Sequence, residues 1–214
     1  MQTISPSLSP TIFLIGFMAT GKSTVGRLLA TKLGRPFVDL DELIAEDAGK
    51  GVAEIFDAEG ESGFRAREQR LLAELCRQRG WVIATGGGAS CAEGAMDLLL
   101  KSGFVAGLTA PVATLLERVG DLNSRPLLRA APDVSSVFER LLAWRPPFFH
   151  RDRKTSEAAD GLRLRGVFER LLARRVMFYE RAHQTFETAN VAPAEVADKI
   201  ALAYQAFCND RKRS

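Results

Sequence analysis

Histidine is almost absent from this chain: two in 214 residues, His150 and His183. Neither has a triad or metal partner at a suitable spacing, so both read as surface or helix-end residues. Cysteine is scarce as well. Cys76, Cys91 and Cys208 are odd in number, scattered and without metal-ligand spacing. That excludes a disulfide framework or a zinc cluster and fits reduced thiols in a cytoplasmic protein. No apolar run approaches the roughly 18 residues of a membrane span, so no membrane partner is expected. The opening MQTISPSLSP (1–10) lacks the basic and apolar regions of a signal peptide and reads as a disordered lead-in. Charge of one sign is also lacking. The net charge is +3, and many basic residues alternate with acids along helical stretches, which argues against nucleic acid as a partner. The basic tail NDRKRS (209–214) is short enough to be simply solvated.

What is present is an alternation of strands and helices, with 46% hydrophobic residues, enough for one large domain core. TIFLIG, PFVDL, WVIAT, FVAGLTA and TFETA read as buried strands. KSTVGRLLATKLG, DELIAEDAG, ESGFRAREQRLLAELCRQRG, EGAMDLLLKSG, PVATLLERVG and PAEVADKIALAYQAF read as helices between and after them. Gly34 and Gly80 are expected to close two of these helices. Such a chain folds as an α/β domain, a parallel sheet covered on both faces. One domain is expected over 11–208. Its rhythm breaks at about 120–166, a stretch rich in Arg, Pro, Asp and Ser.

The sharpest motif is GFMATGKS, Gly16 to Ser23, which fits G-x-x-x-x-G-K-[ST] between a strand and a helix. Residues Ala19, Thr20, Gly21, Lys22, Ser23 and Thr24 form a loop whose amides can turn inward onto phosphate oxygens. Lys22 supplies a point charge, and the Ser23 hydroxyl can ligate Mg²⁺. VDLDE puts Asp39 and Asp41 at the end of the second strand, on one side by its period of two. One carboxylate can hold a metal through water while the other takes a hydroxyl proton; a helix cap plus a surface acid would look the same. Arg65 in GFRARE is poorly placed for structure near a helix N-terminus, and Glu68 can orient it. Gly86, Gly87 and Gly88 follow a strand directly. They serve either a turn with positive φ or the close approach of a ligand to backbone. Arg125, held extended before a proline in NSRPLL, suits a lid over phosphates.

GFMATGKST, DLDE, EGESGFRAREQ, ATGGG and RPLL, in that order, make the chain resemble the shikimate kinases over roughly 11 to 130 and again after Ala182. The resemblance implies a nucleoside-monophosphate-kinase-like P-loop fold of three layers with a five-stranded parallel sheet and a lid. It implies transfer of the ATP γ-phosphoryl group to the 3-hydroxyl of shikimate by a cytoplasmic monomer using Mg²⁺. Carried onto this sequence, Lys22 and Ser23 hold phosphates and metal, and Asp39 assists the metal. Asp41 binds the acceptor hydroxyls and is the candidate base. Arg65 pairs with the acceptor carboxylate, Gly86 to Gly88 line its hydroxyls, and Phe56 and Phe64 wall its ring. Arg125 is the lid arginine, Arg118 stacks on adenine, and Pro193 lies in the adenine loop. The competing readings are a related sugar-acid kinase, such as gluconate kinase, and a nucleotide-binding regulatory protein with a disrupted lid.

Two features depart from the family pattern. Ala19 stands where the family usually has Gly, which the loop survives if φ there is negative. The unit VFERLLA also occurs twice, from Val137 and from Val167, and an arginine closely follows each copy, Arg145 or Arg175. The family has one such helix, ending in a second carboxylate-binding arginine. Either 130–166 enlarges the lid and Arg175 is the binding residue, or the first helix with Arg145 is native and the second is a bulge. Closure cost grows only with the logarithm of loop length, which favours the enlarged lid and Arg175.

Overall fold

The computed structural model describes residues 9–120 and 157–213. The helices and strands, in chain order, are β1 (Thr11–Gly16), α1 (Lys22–Leu33), β2 (Phe37–Asp39), α2 (Leu40–Ala48), α3 (Val52–Leu75), β3 (Val82–Ala84), α4 (Ala95–Ser102), β4 (Gly103–Thr109), α5 (Val112–Gly120), α6 (Glu157–Tyr179), β5 (Gln184–Glu187) and α7 (Pro193–Asp210). A single turn of 3₁₀ helix, Ala89–Cys91, precedes α4. The strands form one parallel sheet in the order β2-β3-β1-β4-β5.

The period of two in β1 divides the interior. Ile12 and Leu14 face α1 and α7, in a core with Val25, Leu29, Phe186 and Ile200. Phe13 and Ile15 face the other way, among Leu40, Ile55, Leu71, Leu99, Leu115 and Phe168. Both faces of the sheet are covered, as the apolar strands require. The carboxyl ends of β1, β2 and β3 then open onto one edge, where open α/β sheets bind ligands.

Three expectations need correction. First, α3 begins at Val52, not near Glu61, and ends at Leu75 instead of Gly80. The Glu54 carboxylate accepts from the Gly51 N–H at 2.8 Å and starts the helix ahead of the expected point. Gly60, at φ 69° and ψ −175°, interrupts α3, and the helix resumes just before Phe64 and Arg65. Second, β2 is only three residues long, so Asp41 sits in the first turn of α2, and the strand period does not relate it to Asp39. Third, 157–166 is helical and continuous with the second copy of the repeat, with an Arg165–Glu169 ion pair at 2.9 Å one turn apart. The rest of the expected lid and insertion, with Arg125, Arg145, His150 and the first copy of the repeat, lies outside the described residues. His183 is solvent-exposed, as expected, and also joins β5 to β4: its N–H donates to the Val105 carbonyl at 2.9 Å and its Nδ1 accepts from the Val105 N–H at 3.0 Å.

Candidate active site

The loop from Gly16 to Ser23 wraps the start of α1. Gly21 is its N-cap in the left-handed region (φ 90°), no side chain among the described residues caps it, and its first turn carries no acid. First-turn amides left in this way, at the positive end of the helix dipole, suit an anion. Lys22 folds back over the loop, its Nζ donating to the carbonyls of Gly16 and Phe17, each at 2.9 Å. The Thr20 hydroxyl donates to the Phe17 carbonyl at 2.8 Å, while Thr24 is exposed.

Ala19 does not have the expected negative φ; it sits at φ 63°. An L-residue there costs on the order of 1 kcal/mol. The surroundings hold it in place. Its side chain is buried, and its carbonyl accepts from Arg118 Nη1 at 3.2 Å. The same guanidinium donates to the Thr188 hydroxyl at 3.0 Å and to the Thr188 carbonyl at 2.5 Å. Arg118 therefore ties the phosphate loop to the end of β5, a short distance in sequence from Pro193, the exposed first residue of α7.

Asp39 is both a cap and a polar neighbour of the loop. One oxygen accepts the Asp41 N–H at 3.0 Å, and the other accepts the Ser23 hydroxyl at 2.5 Å. Asp41 faces Asp39, Glu68, Lys22 and Arg65, and burial followed by the two carboxylates pushes its pKa up to about 7. Gly86 fits against this group because it has no side chain. A Cβ there would come within 2.7 Å of Asp41 Oδ1 and 2.8 Å of Glu68 Oε1. None of Gly86, Gly87 and Gly88 has a positive φ, so close approach, not turn geometry, explains Gly86.

Arg65 pairs with the buried Glu68, as its spacing suggested, and with Glu61 at 3.7 Å. Its guanidinium lies 5.2 Å from the centroid of Phe64, which stacks on Phe56 at 4.7 Å. From the far end of the chain, α6 sends in Arg175, only 5% exposed, whose Nη1 donates to the Gly87 carbonyl at 3.3 Å. Its guanidinium lies 5.5 Å from the centroid of Phe17, and Phe17 packs edge-on against Phe168 of the same helix. Burial lowers the Arg175 pKa, and the charge of Arg65 lowers it further. Two guanidinium groups from separate helices thus face the buried Glu68, Arg65 beside Asp41 and Arg175 against Phe17 of the phosphate loop.

Sequence reading missed Tyr179 and Thr188. Their partners, Gly87 and Arg118, lie far away along the chain, and no local pattern signals such contacts. Tyr179 does lie four residues after Arg175, on the same helix face, and that spacing could have drawn attention to it.

A family model described as "Shikimate kinase" matches residues 18–205. The shikimate kinase of Symbiobacterium thermophilum is 48% identical over 140 residues, 64% of this chain and 80% of that protein. That of Halorhodospira halophila is 43% identical over 154 residues, 72% of this chain and 86% of the relative. Among solved structures, the shikimate kinase of Acinetobacter baumannii in complex with shikimate superposes with a TM-score of 0.74 at 32% identity, covering 96% of this chain and 98% of its own. The shikimate kinase of Bacteroides thetaiotaomicron gives a TM-score of 0.72 at 27% identity, covering 92% and 98%.

Proposed function

The chain belongs to the shikimate kinase family, and from that membership we propose that it transfers the γ-phosphoryl group of ATP to the 3-hydroxyl of shikimate, a step toward chorismate and the aromatic amino acids. One observation carries the assignment of roles. Arg65, which faces Asp41, and Arg175, which packs on Phe17 of the phosphate loop, come together at the buried Glu68, close enough that the charge of Arg65 helps lower the Arg175 pKa. A carboxylate bound between them relieves that repulsion, and guanidinium forks suit it.

The donor set fits Mg²⁺. Ser23 Oγ and Asp39 Oδ2 are hard oxygens presented together at the loop. Among the described residues, no group of three or more His, Cys, Asp or Glu could hold a metal alone. The ion would arrive with the nucleotide, held by Ser23 directly and by Asp39 through water, and would neutralise charge on the phosphates. Lys22 then swings from the Gly16 and Phe17 carbonyls to the outer phosphates. Asp41 accepts the proton of the acceptor hydroxyl as its oxygen bonds to the γ-phosphorus and the bond to ADP breaks. Phe56 and Phe64 wall the acceptor ring, and Gly86 to Gly88 let its hydroxyls approach backbone. Arg118 and Pro193 flank the adenine, and Arg125 closes over the phosphates from the lid. We further propose one kinase domain over 11–208, acting as a cytoplasmic monomer. The thiols of Cys76, Cys91 and Cys208 are free, and among the described residues no helix is long and apolar enough to cross a membrane.

A coupled assay of ADP release with shikimate, with gluconate and with no acceptor tests the reaction. Turnover with shikimate alone is expected. Turnover with gluconate would favour the sugar-acid kinase, and no acceptor-dependent release would favour a regulatory protein.

Two variants test the acceptor side. Arg175→Ala leaves a bound carboxylate short of a desolvated partner, a loss of roughly 2–5 kcal/mol. At about 1.4 kcal/mol per tenfold, the shikimate KM should rise about 30-fold or more with the ATP KM little changed. Arg145→Ala should change either constant by less than about threefold, as for an exposed charge; the reverse ranking would make the first copy the working one. Gly86→Ala inserts a methyl group where Asp41 and Glu68 already stand. Overpacking of this kind costs about 1–3 kcal/mol of stability, and because the atoms that must give way belong to Asp41 and Glu68, kcat/KM for shikimate should fall as well. An unchanged kcat/KM would remove Gly86 from the acceptor wall.

A further inference from the structure

Tyr179 ends α6 and is 2% exposed. Its hydroxyl donates to the Gly87 carbonyl at 2.6 Å, the same oxygen that receives Arg175 Nη1 at 3.3 Å. One backbone oxygen of the glycine loop therefore fastens the loop to a tyrosine and an arginine one helical turn apart. Burial drives the phenol far above its ordinary pKa, so it remains a donor at any working pH, and Cys91 lies beside it. The peptide plane adds a constraint. A trans peptide directs the Gly87 carbonyl and the Gly88 N–H to opposite sides. Fixing the carbonyl toward α6 turns the Gly88 N–H away from it.

The sequence contains a natural comparison. Four residues after its arginine, the second copy of the repeat has Tyr179 and the first has Phe149. Only the second copy brings a hydroxyl.

We propose that Tyr179 is a positioning residue for the acceptor: by holding the Gly87 carbonyl it sets the orientation of the glycine loop and of the Arg175 guanidinium that shares that oxygen. This rests on the reading of the site as an acceptor pocket. The hydroxyl acts through Gly87 and Arg175 and need not touch the reacting atoms. Its removal should weaken acceptor binding without changing the chemistry, so KM moves and kcat does not.

The test is Tyr179→Phe, which keeps the ring in its slot. The shikimate KM should rise about 10-fold, the weight of one buried hydrogen bond. The kcat should stay within about twofold and the ATP KM should not change, while the thermal midpoint falls by no more than a few degrees, the stability of one buried hydrogen bond. A second readout does not depend on turnover. The chain has only two Gly–Gly peptide bonds, Gly86–Gly87 and Gly87–Gly88. Glycine labelled with ¹³C at the carbonyl and ¹⁵N at the amide therefore gives only two carbonyl–nitrogen correlations. Loss of the hydroxyl should move the Gly87 carbonyl upfield. An unmoved carbonyl with an unchanged shikimate KM would overturn the proposal. So would a rise of both KM values together with a fall in thermal midpoint well beyond that of one hydrogen bond, which would mark a packing residue only. If the unaltered protein fails to phosphorylate shikimate, the assigned reaction is wrong, and the Gly87 resonance still decides whether Tyr179 holds the loop.

Discussion

Lys22→Ala should reduce turnover by a factor on the order of 10³, leaving the circular dichroism spectrum and thermal midpoint close to those of the unaltered protein. The first part follows from the place of the ammonium group. In the proposed reaction it is the cation at the start of α1 that meets charge developing on the transferring phosphoryl group, and a positioned charge there is worth more than in water. The second part follows from what Lys22 touches at rest. Its bonds run to two backbone carbonyls, those of Gly16 and Phe17, and Lys22 is itself half-buried, so its loss removes no side chain from the hydrophobic core. Near-normal turnover in a folded variant would remove the loop from the reaction.

Asp41→Asn should reduce turnover by about 10²-fold or more while making the protein more stable at pH 8. Asn keeps the shape and cannot take a proton. The stability gain follows from a pKa near 7 in the fold against an ordinary value of 3.8. Between those values the folded chain binds more protons than the unfolded one. Stability therefore falls as pH rises through that window, and the penalty is complete above it. It is on the order of a few kcal/mol, at about 1.4 kcal/mol for each pKa unit. The variant escapes it, so its gain in thermal midpoint, measured without Mg²⁺ or nucleotide, should be several degrees at pH 8 and small at pH 5. A loss of ATP affinity without loss of acceptor affinity would instead put Asp41 in the metal site and exchange its role with Asp39.

The sheet, its two covers and most helix boundaries were legible because period and punctuation agreed. Gly34 ends α1 in the left-handed region as expected, and the alternation in β1 sends its side chains to two cores. The errors share a cause. The long helix was read only from Glu61, yet at Gly60 one residue at φ 69° absorbs the bend while the helix continues on both sides. Asp39 and Asp41 were paired by a strand period that a three-residue strand cannot sustain. Their proximity comes instead from the cap that Asp39 places on α2. Ala19 was judged by its own preference, whereas Arg118, bonded to it from 99 residues away, helps keep it in an unfavourable conformation. The role of Gly86 depends on Asp41 and Glu68 standing against it, and Tyr179 on Gly87; both are long-range contacts that no local window contains.

The strand order also bears on how the chain is made. Of the five strands, β1 is synthesised first and is the middle of the sheet, and β2, β3 and β4 are added around it before Gly120 is reached. Four adjacent strands therefore exist before any of the extra residues have been synthesised. Domains assemble during translation at about 5–20 residues per second. Within the sheet the added stretch thus delays only β5, a rim strand that pairs with β4 alone, although α6 and α7, which cover the faces of the sheet, also follow. The same length placed between β1 and β3 would have kept the central apolar strand waiting, exposed, for its partners. An early segment of the gene tolerates little lengthening for this reason, and the duplicated unit lies where late growth leaves the pairing of the central strands undisturbed.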